Sequence, residues 1–191
     1  MPFYTDTLPN DLDIRATGIG ILTENFNSLL GSNATAPATG TVWGVTFGLR
    51  AGQVVTGIKL RNQVAAAGSK ATLARFGLAQ WTGAAMNMIG PQSADLSAAA
   101  NWPLGECPFP FSSTYTVPTT GAYMGCFLVV GTWGTTQPTP VRAATNGNAQ
   151  TSTAPDAPVG IQWAGQSDLP AAGSPLTLTT GLGTPYYMAL Y

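Results

Sequence analysis

An all-β fold, an antiparallel β-sandwich of jelly-roll-like form, is what this 191-residue sequence predicts, and three observations predict it. Large apolar residues alternate with small or polar ones through much of the stretch from Thr41 to Trp81, the period of two that belongs to a half-buried strand. Turn residues recur at short intervals: there are 23 glycines and 15 prolines, short of the roughly 25–30 % that marks a low-complexity chain. Strong helix formers other than alanine are few, and Thr, Gly, Ala and Pro dominate, which favours sheets over helices. A chain of this length can bury one core of ordinary size.

Residues 1 to 40 read as an N-terminal arm and residues 41 to 191 as the sandwich. Within the arm, Met1 to Asp13 is extended and irregular. Ile19, Leu22, Phe26, Leu29 and Leu30 then fall at helical spacing, with Gly31-Ser32-Asn33 as a stop, although Gly20 weakens this short helix. Two readings of the arm stand. It is either a first strand and a loop folded on the sandwich, or an anchor that docks on a neighbour through Phe3, Tyr4, Leu8, Leu22, Phe26 and Leu29. Asn33-Ala34-Thr35 matches a glycosylation sequon by pattern alone.

In the sandwich, Trp43, Val45, Phe47 and Leu49 line one face of the first strand. Arg50-Ala51-Gly52-Gln53 is a polar turn in which Gly52 supplies a positive φ. Val54 to Arg61 is the second strand, and the two are expected to form a hairpin. Gln63 to Lys70 is a loop. Ala71 to Trp81 is the third strand, and Thr82-Gly83 turns it into a shorter return strand, Ala84 to Ile89. Gly90 to Phe111, proline-rich and without a clear period, reads as a loop crossing between sheets. Ser113 to Val117 is a short strand. Ala122 to Val130 is apolar on both faces; its length, valine-rich end and preceding turn, Pro118-Thr119-Thr120-Gly121, favour a central strand over a buried helix. Gly131 to Asp156 is a second long loop, of the sort that is usually functional or disordered. Val159 to Trp163 and Leu176 to Thr179 are short strands. Thr184 to Tyr191 is a last strand tied into the sheet, with Tyr187, Ala189 and Tyr191 on one face.

Charge bounds the function. Only 8 % of the residues are charged, against about 25 % in typical soluble domains, so this chain scarcely uses charge to stay soluble or to guard sheet edges. Either a Thr, Ser, Asn and Gln surface replaces it, or much of the surface is buried against copies of the chain or a larger assembly; both can hold. A net charge of −1 with scattered Lys and Arg leaves no footprint for nucleic acid or an anionic membrane. No apolar run approaches the length of a membrane span. The N-terminus lacks the features of a signal peptide, so synthesis in a cytoplasm is expected. Cys107 and Cys126 are the two cysteines; one in a proline-rich loop and one in a buried strand favour reduced thiols over a disulfide.

Chemistry is scarce. The chain has no histidine, which removes Ser-His-Asp and Cys-His arrangements and most metal sites. No phosphate-binding loop is present, and Gly18-Ile19-Gly20 is too short a match to a dinucleotide fingerprint. Asp95 and Glu106 share a loop and are the one pair of carboxylates worth weighing for glycosidase chemistry, but solvated loop acids are the favoured reading. Asp11 and Asp13 lack a third ligand in register for calcium. No enzyme activity, cofactor or metal is expected. Trp102 and Trp133 lie in loops. They either cap the ends of the core, the favoured reading, or join Tyr115 as contacts for a glycan or protein partner. Trp43 and Trp81 belong to strands and are read as core or inter-sheet residues.

Val55 to Leu60, Phe76-Gly77-Leu78, Trp81 to Gly83, Ser93 to Trp102, Tyr115 to Tyr123, Leu169-Pro170 and Pro185 to Tyr191 occur here in an order that resembles a family of β-sandwich virion proteins. These are minor tail, fibre or head-accessory domains of tailed bacteriophages of actinobacteria. The resemblance covers residues 41 to 191, each piece is short, and the order of the pieces carries it. It implies a non-enzymatic structural protein of the virion, a head-decoration or minor tail accessory protein. Its expected partners are copies of itself, a homotrimer being favoured, and other virion proteins. Assembly is expected in the host cytoplasm. The family carries no catalytic residues to transfer, and attachment specificity is expected in the arm. The alternative is a carbohydrate-binding module that adsorbs to host cell-wall glycan.

Overall fold

The structure is a computed structural model and describes residues 23–24, 36–68, 71–142, 160–176 and 186–191. Phe3, Tyr4, Leu8, Leu22, Phe26 and Leu29 of the arm, Asp11 and Asp13, the Asn33 sequon, residues 143–156 of the second long loop and residues 177–179 lie outside these. The fold is an antiparallel β-sandwich, as the sequence predicts. Its strands are β1 (Thr23–Glu24), β2 (Thr41–Leu49), β3 (Val54–Asn62), β4 (Ala71–Trp81), β5 (Met86–Ile89), β6 (Gly105–Thr116), β7 (Gly121–Gly131), β8 (Gly160–Trp163), β9 (Pro175–Leu176) and β10 (Ala189–Leu190). One sheet has the order β1-β10-β3-β6 and the other β8-β2-β7-β4-β5-β9.

The pairing is nested. β4 pairs with β5, β3 with β6 and β2 with β7. A two-stranded ribbon is thus folded over so that successive pairs land in alternate sheets, which is the jelly-roll arrangement. The expected hairpin between β2 and β3 is corrected here: the two strands lie in different sheets. Residues 50–53 form an arch across the core instead of a hairpin turn. Gly52, at φ 87°, donates its N–H to Val117 O at 2.8 Å, and Val117 returns its N–H to Gln53 O at 2.8 Å. The Ala51 N–H also reaches Thr120 Oγ1 at 3.1 Å. Two arches, β2 to β3 and β6 to β7, therefore brace each other at one end of the sandwich. Alternation alone could not separate the outcomes, because strands on either side of an arch also face one core with the same period.

Two further expectations are corrected. The crossing loop ends at Gly105, not Phe111, because β6 begins there. Cys107, Phe109 and Phe111 point inward while Glu106, Pro108 and Pro110 are exposed, so a period of two was present under the prolines. Prolines are tolerated because β6 is an edge strand. Thr23 and Glu24, inside the expected helix, are extended and pair with Leu190 and Ala189. A piece of the segment before residue 41 thus belongs to the sandwich.

The inner core lies between the sheets. Phe76 of β4 stacks on Phe109 of β6 with centroids 3.9 Å apart and also meets Phe127 of β7. Gly125 of β7 leaves room for β10: a Cβ there would sit 2.7 Å from Met188 Sδ and 3.2 Å from Leu190 Cδ2. The expected tie of the final strand is present. Thr56 and Gly57 donate backbone N–H groups to Tyr191 O at 2.6 and 3.2 Å. The six-stranded sheet buries its outer face too. Val42, Ala79, Met86, Met88, Met124, Cys126 and Leu128 pack there with Leu169 and Leu176 of the 164–176 segment. An ion pair from Arg75 to Asp168, at 2.8 Å, pins that segment to β4. With both faces covered, β7 needs apolar residues at every position, which accounts for its unbroken run. The connection from β5 to β6 does cross between sheets: the Ser93 N–H bonds Phe76 O at 2.8 Å, and the Ser112 N–H bonds Gln92 O at 2.9 Å.

Candidate functional site: the loop end of the sandwich

At the end opposite the arches, three loops join. Ala66 N–H donates to Trp102 O at 2.9 Å, Ala67 N–H to Thr136 O at 2.9 Å and Gln63 N–H to Thr139 O at 2.9 Å. Asn62 Nδ2 donates to Pro103 O at 3.1 Å. Residues 62–68, 99–105 and 131–141 of this end contain no Asp, Glu, Lys or Arg, but Arg61, Glu106 and Arg142 adjoin them, and the Val141 N–H bonds Arg61 O at 2.7 Å. Leu104 is 68 % exposed and Val64 is 41 % exposed. Gln63, Pro103, Thr135, Thr136 and Gln137 are exposed around them. Neither Leu104 nor Val64 was singled out from the sequence. The three charge-free runs were legible there, but not that the fold brings them together.

Trp102 and Trp133 lie beneath these loops. Trp102 is fully buried and Trp133 nearly so. Their rings meet edge-on at 5.1 Å, and Trp102 packs on Phe109 at 4.7 Å. Trp102 Nε1 donates to Leu96 O at 2.9 Å. Both rings cap the inner core, the favoured of the two readings, and neither offers an open face to a sugar, so the alternative of glycan contacts does not hold for these two. Trp43 is a core residue, while Trp81 is partly buried against the outer cluster. Three buried polar atoms of this end have no hydrogen-bond partner: Asn62 Oδ1, Trp133 Nε1 and Thr139 Oγ1.

Tyr115 lies away from this end, on β6 beside the arches. It is half-buried, 6.5 Å from the Tyr123 ring, and burial pushes its hydroxyl pKa up. Asp95 holds a loop in place. Its Oδ1 accepts N–H bonds from Ala74 and Ser97 at 2.9 Å each, and its Oδ2 accepts the Ser97 hydroxyl at 3.1 Å. Burial raises its pKa, but these donors and the nearby Arg75 outweigh it and hold the carboxyl below the usual range, which suits an anchor and not a general acid. Glu106 is exposed on β6, opposite Arg61 in register. Cys107 and Cys126 are both free thiols. Among the described residues no group of three or more His, Cys, Asp or Glu could hold a metal ion, and no helix is long and apolar enough to cross a membrane. Comparison with models of protein families and with curated proteins finds no match to this chain.

Proposed function

We propose that this protein is a non-enzymatic building part of a tailed-phage virion, a head-decoration or minor tail accessory protein that acts by self-assembly and by docking on the particle. The observation that supports this reading is the end of the sandwich away from the arches, where Leu104 stands 68 % exposed. A chain with 8 % charged residues leaves little of the ionic surface that keeps free monomers apart. A sandwich covered on both faces of its larger sheet is a rigid unit suited to repetition. The resemblance of residues 41 to 191 to virion β-sandwich proteins supplies the setting, and a trimer is the favoured assembly.

The test has two parts. Mass spectrometry of purified particles is expected to find this chain among the virion proteins. Light scattering on the isolated protein is expected to give a multiple of the chain mass. A protein that is absent from particles and stays monomeric as it is concentrated overturns the reading.

A further inference from the structure

We infer that residues 167–172 form a hinged flap on the outer face of the six-stranded sheet, with Leu169 as its plug and the Arg75–Asp168 ion pair as its latch, and that this flap opens while the two sheets stay closed. The inference goes beyond the assembly reading and does not depend on it.

Sparse burial is the first observation. Within the segment 164–176, Leu169 and Leu176 are the buried side chains. Leu176 belongs to β9, which pairs with β5. Leu169 lies outside any strand. It rests on a notch that β4 leaves at Gly77, where a Cβ would lie 3.2 Å from Leu169 Cδ1 and 2.8 Å from Met88 Cε. A single leucine therefore holds the flap to the apolar face. Segments with few buried apolar contacts open at a lower free energy than the core they cover.

The fastenings are the second observation. Backbone bonds tie the two ends: Gln166 N–H donates to Gly40 O at 2.8 Å, and Gly173 N–H to Met88 O at 2.7 Å. Between these ties, side chains hold residues 167–172 to the rest of the chain. Arg75 meets Asp168 at 2.8 Å, and Gln92 Nε2 donates to Pro170 O at 2.6 Å. The side chains of the ion pair are 29 % and 47 % exposed, so water and salt weaken it. The sheet beneath is held differently. β2 matches β7 residue for residue from Thr41 to Leu49, and β4 matches β7 from Ala71 to Gln80 with one irregularity. Neither ladder has to break for the flap to lift.

Hinges are the third. Gly165 and Gly173 flank the flap at φ 79° and 86°, and a Cβ at either would meet nothing within 4 Å. Backbone with this freedom at both ends lets the piece between them swing. Lifting it uncovers an apolar notch, floored by Gly77 and walled by Met88, that one leucine side chain fills when the flap is shut.

The test places a thiol on each of the two buried leucines, as Leu169→Cys and Leu176→Cys, and follows the rate of labelling by a thiol reagent. Both changes remove the same atoms, and the native thiols are buried, so the comparison isolates the flap. Residue 169 is expected to label ~10-fold faster than residue 176 or more, since it needs only a local opening. High salt, or Arg75→Gln, is expected to speed labelling at residue 169 by about 2- to 5-fold, the scale of an exposed ion pair, and to leave residue 176 unchanged. Once Arg75 is replaced, salt is expected to have no further effect. Equal rates at residues 169 and 176 overturn the inference, as does a rate at residue 169 that ignores both salt and Arg75→Gln. If a variant also labels at Cys107, its sheets have parted, and proteolysis of the unmodified chain decides instead. Cuts between residues 167 and 172 are then expected before any within β2 to β7, and sooner at high salt. Cuts there that appear only together with cuts in those strands overturn the inference.

Discussion

Cys107 packs in the inner core and Cys126 in the outer cluster, with the six-stranded sheet between them. Burial pushes the Cys107 thiol up to about 11, with Glu106 adding to the rise and a bond from the Asn62 backbone opposing it. Burial pushes Cys126 up to about 12 against one opposing backbone bond from Gly77. The thiolate is the reactive form, so near neutral pH neither cysteine reacts. The expected outcome with a thiol reagent is no labelling of the native protein, labelling of both cysteines after denaturation, and native reactivity that first rises at Cys107 as the pH climbs. Rapid native labelling of Cys126 would show that β7 opens. The buried strand position of Cys126 was legible in its apolar run. The inward face of Cys107 was not, because the prolines on either side of Phe109 obscure the alternation. Trp102 and Trp133 show the same limit: a tryptophan in a loop reads alike whether the loop folds its ring inward or outward, and only the fold decides.

At the scale of elements, strand existence was legible and strand partnership was not. β4 and β5 pair as expected across a four-residue turn in which Thr82 and Ala85 are bonded to each other. The turn at residues 50–53 is as short, yet it sends β3 to the opposite sheet, since β2 matches β7 over nine residues in register. β6 carries a device for guarding its edge that charge usually provides. Residues 108 and 110 lie on the same side of the strand as residue 112, whose N–H leaves the edge to bond Gln92 O. As prolines they offer no donor there, so the free side of β6 cannot template another strand. Replacing Pro108 and Pro110 together with Thr restores two outward N–H groups. The expected result is aggregation that rises with concentration, read by turbidity and an amyloid-sensitive dye. A double variant as soluble as the unmodified chain would mean that the edge needs no such guard.

For the molecule as a whole, the four-stranded sheet is drawn from distant parts of the chain. β1 and β10 pair with each other, and β10 lies directly beside β3. Met188 and Leu190 fill the space above Gly125, while Tyr186 meets Trp43 edge-on at 4.9 Å. Pairings this distant in sequence are slow to form, because loop closure must precede the contacts that reward it. A chain ending before residue 186 loses a strand and several inner-core side chains at once. It is expected to keep strand content by far-UV circular dichroism but lose the near-UV aromatic signal and the cooperative melt. A cooperative melt in that truncated chain would show that the sheets close without β10.

Placement of β10 also sets an order of closing. Its partners β1 and β3 stand far earlier in the sequence, so the four-stranded sheet is complete only once those distant parts of the chain have met.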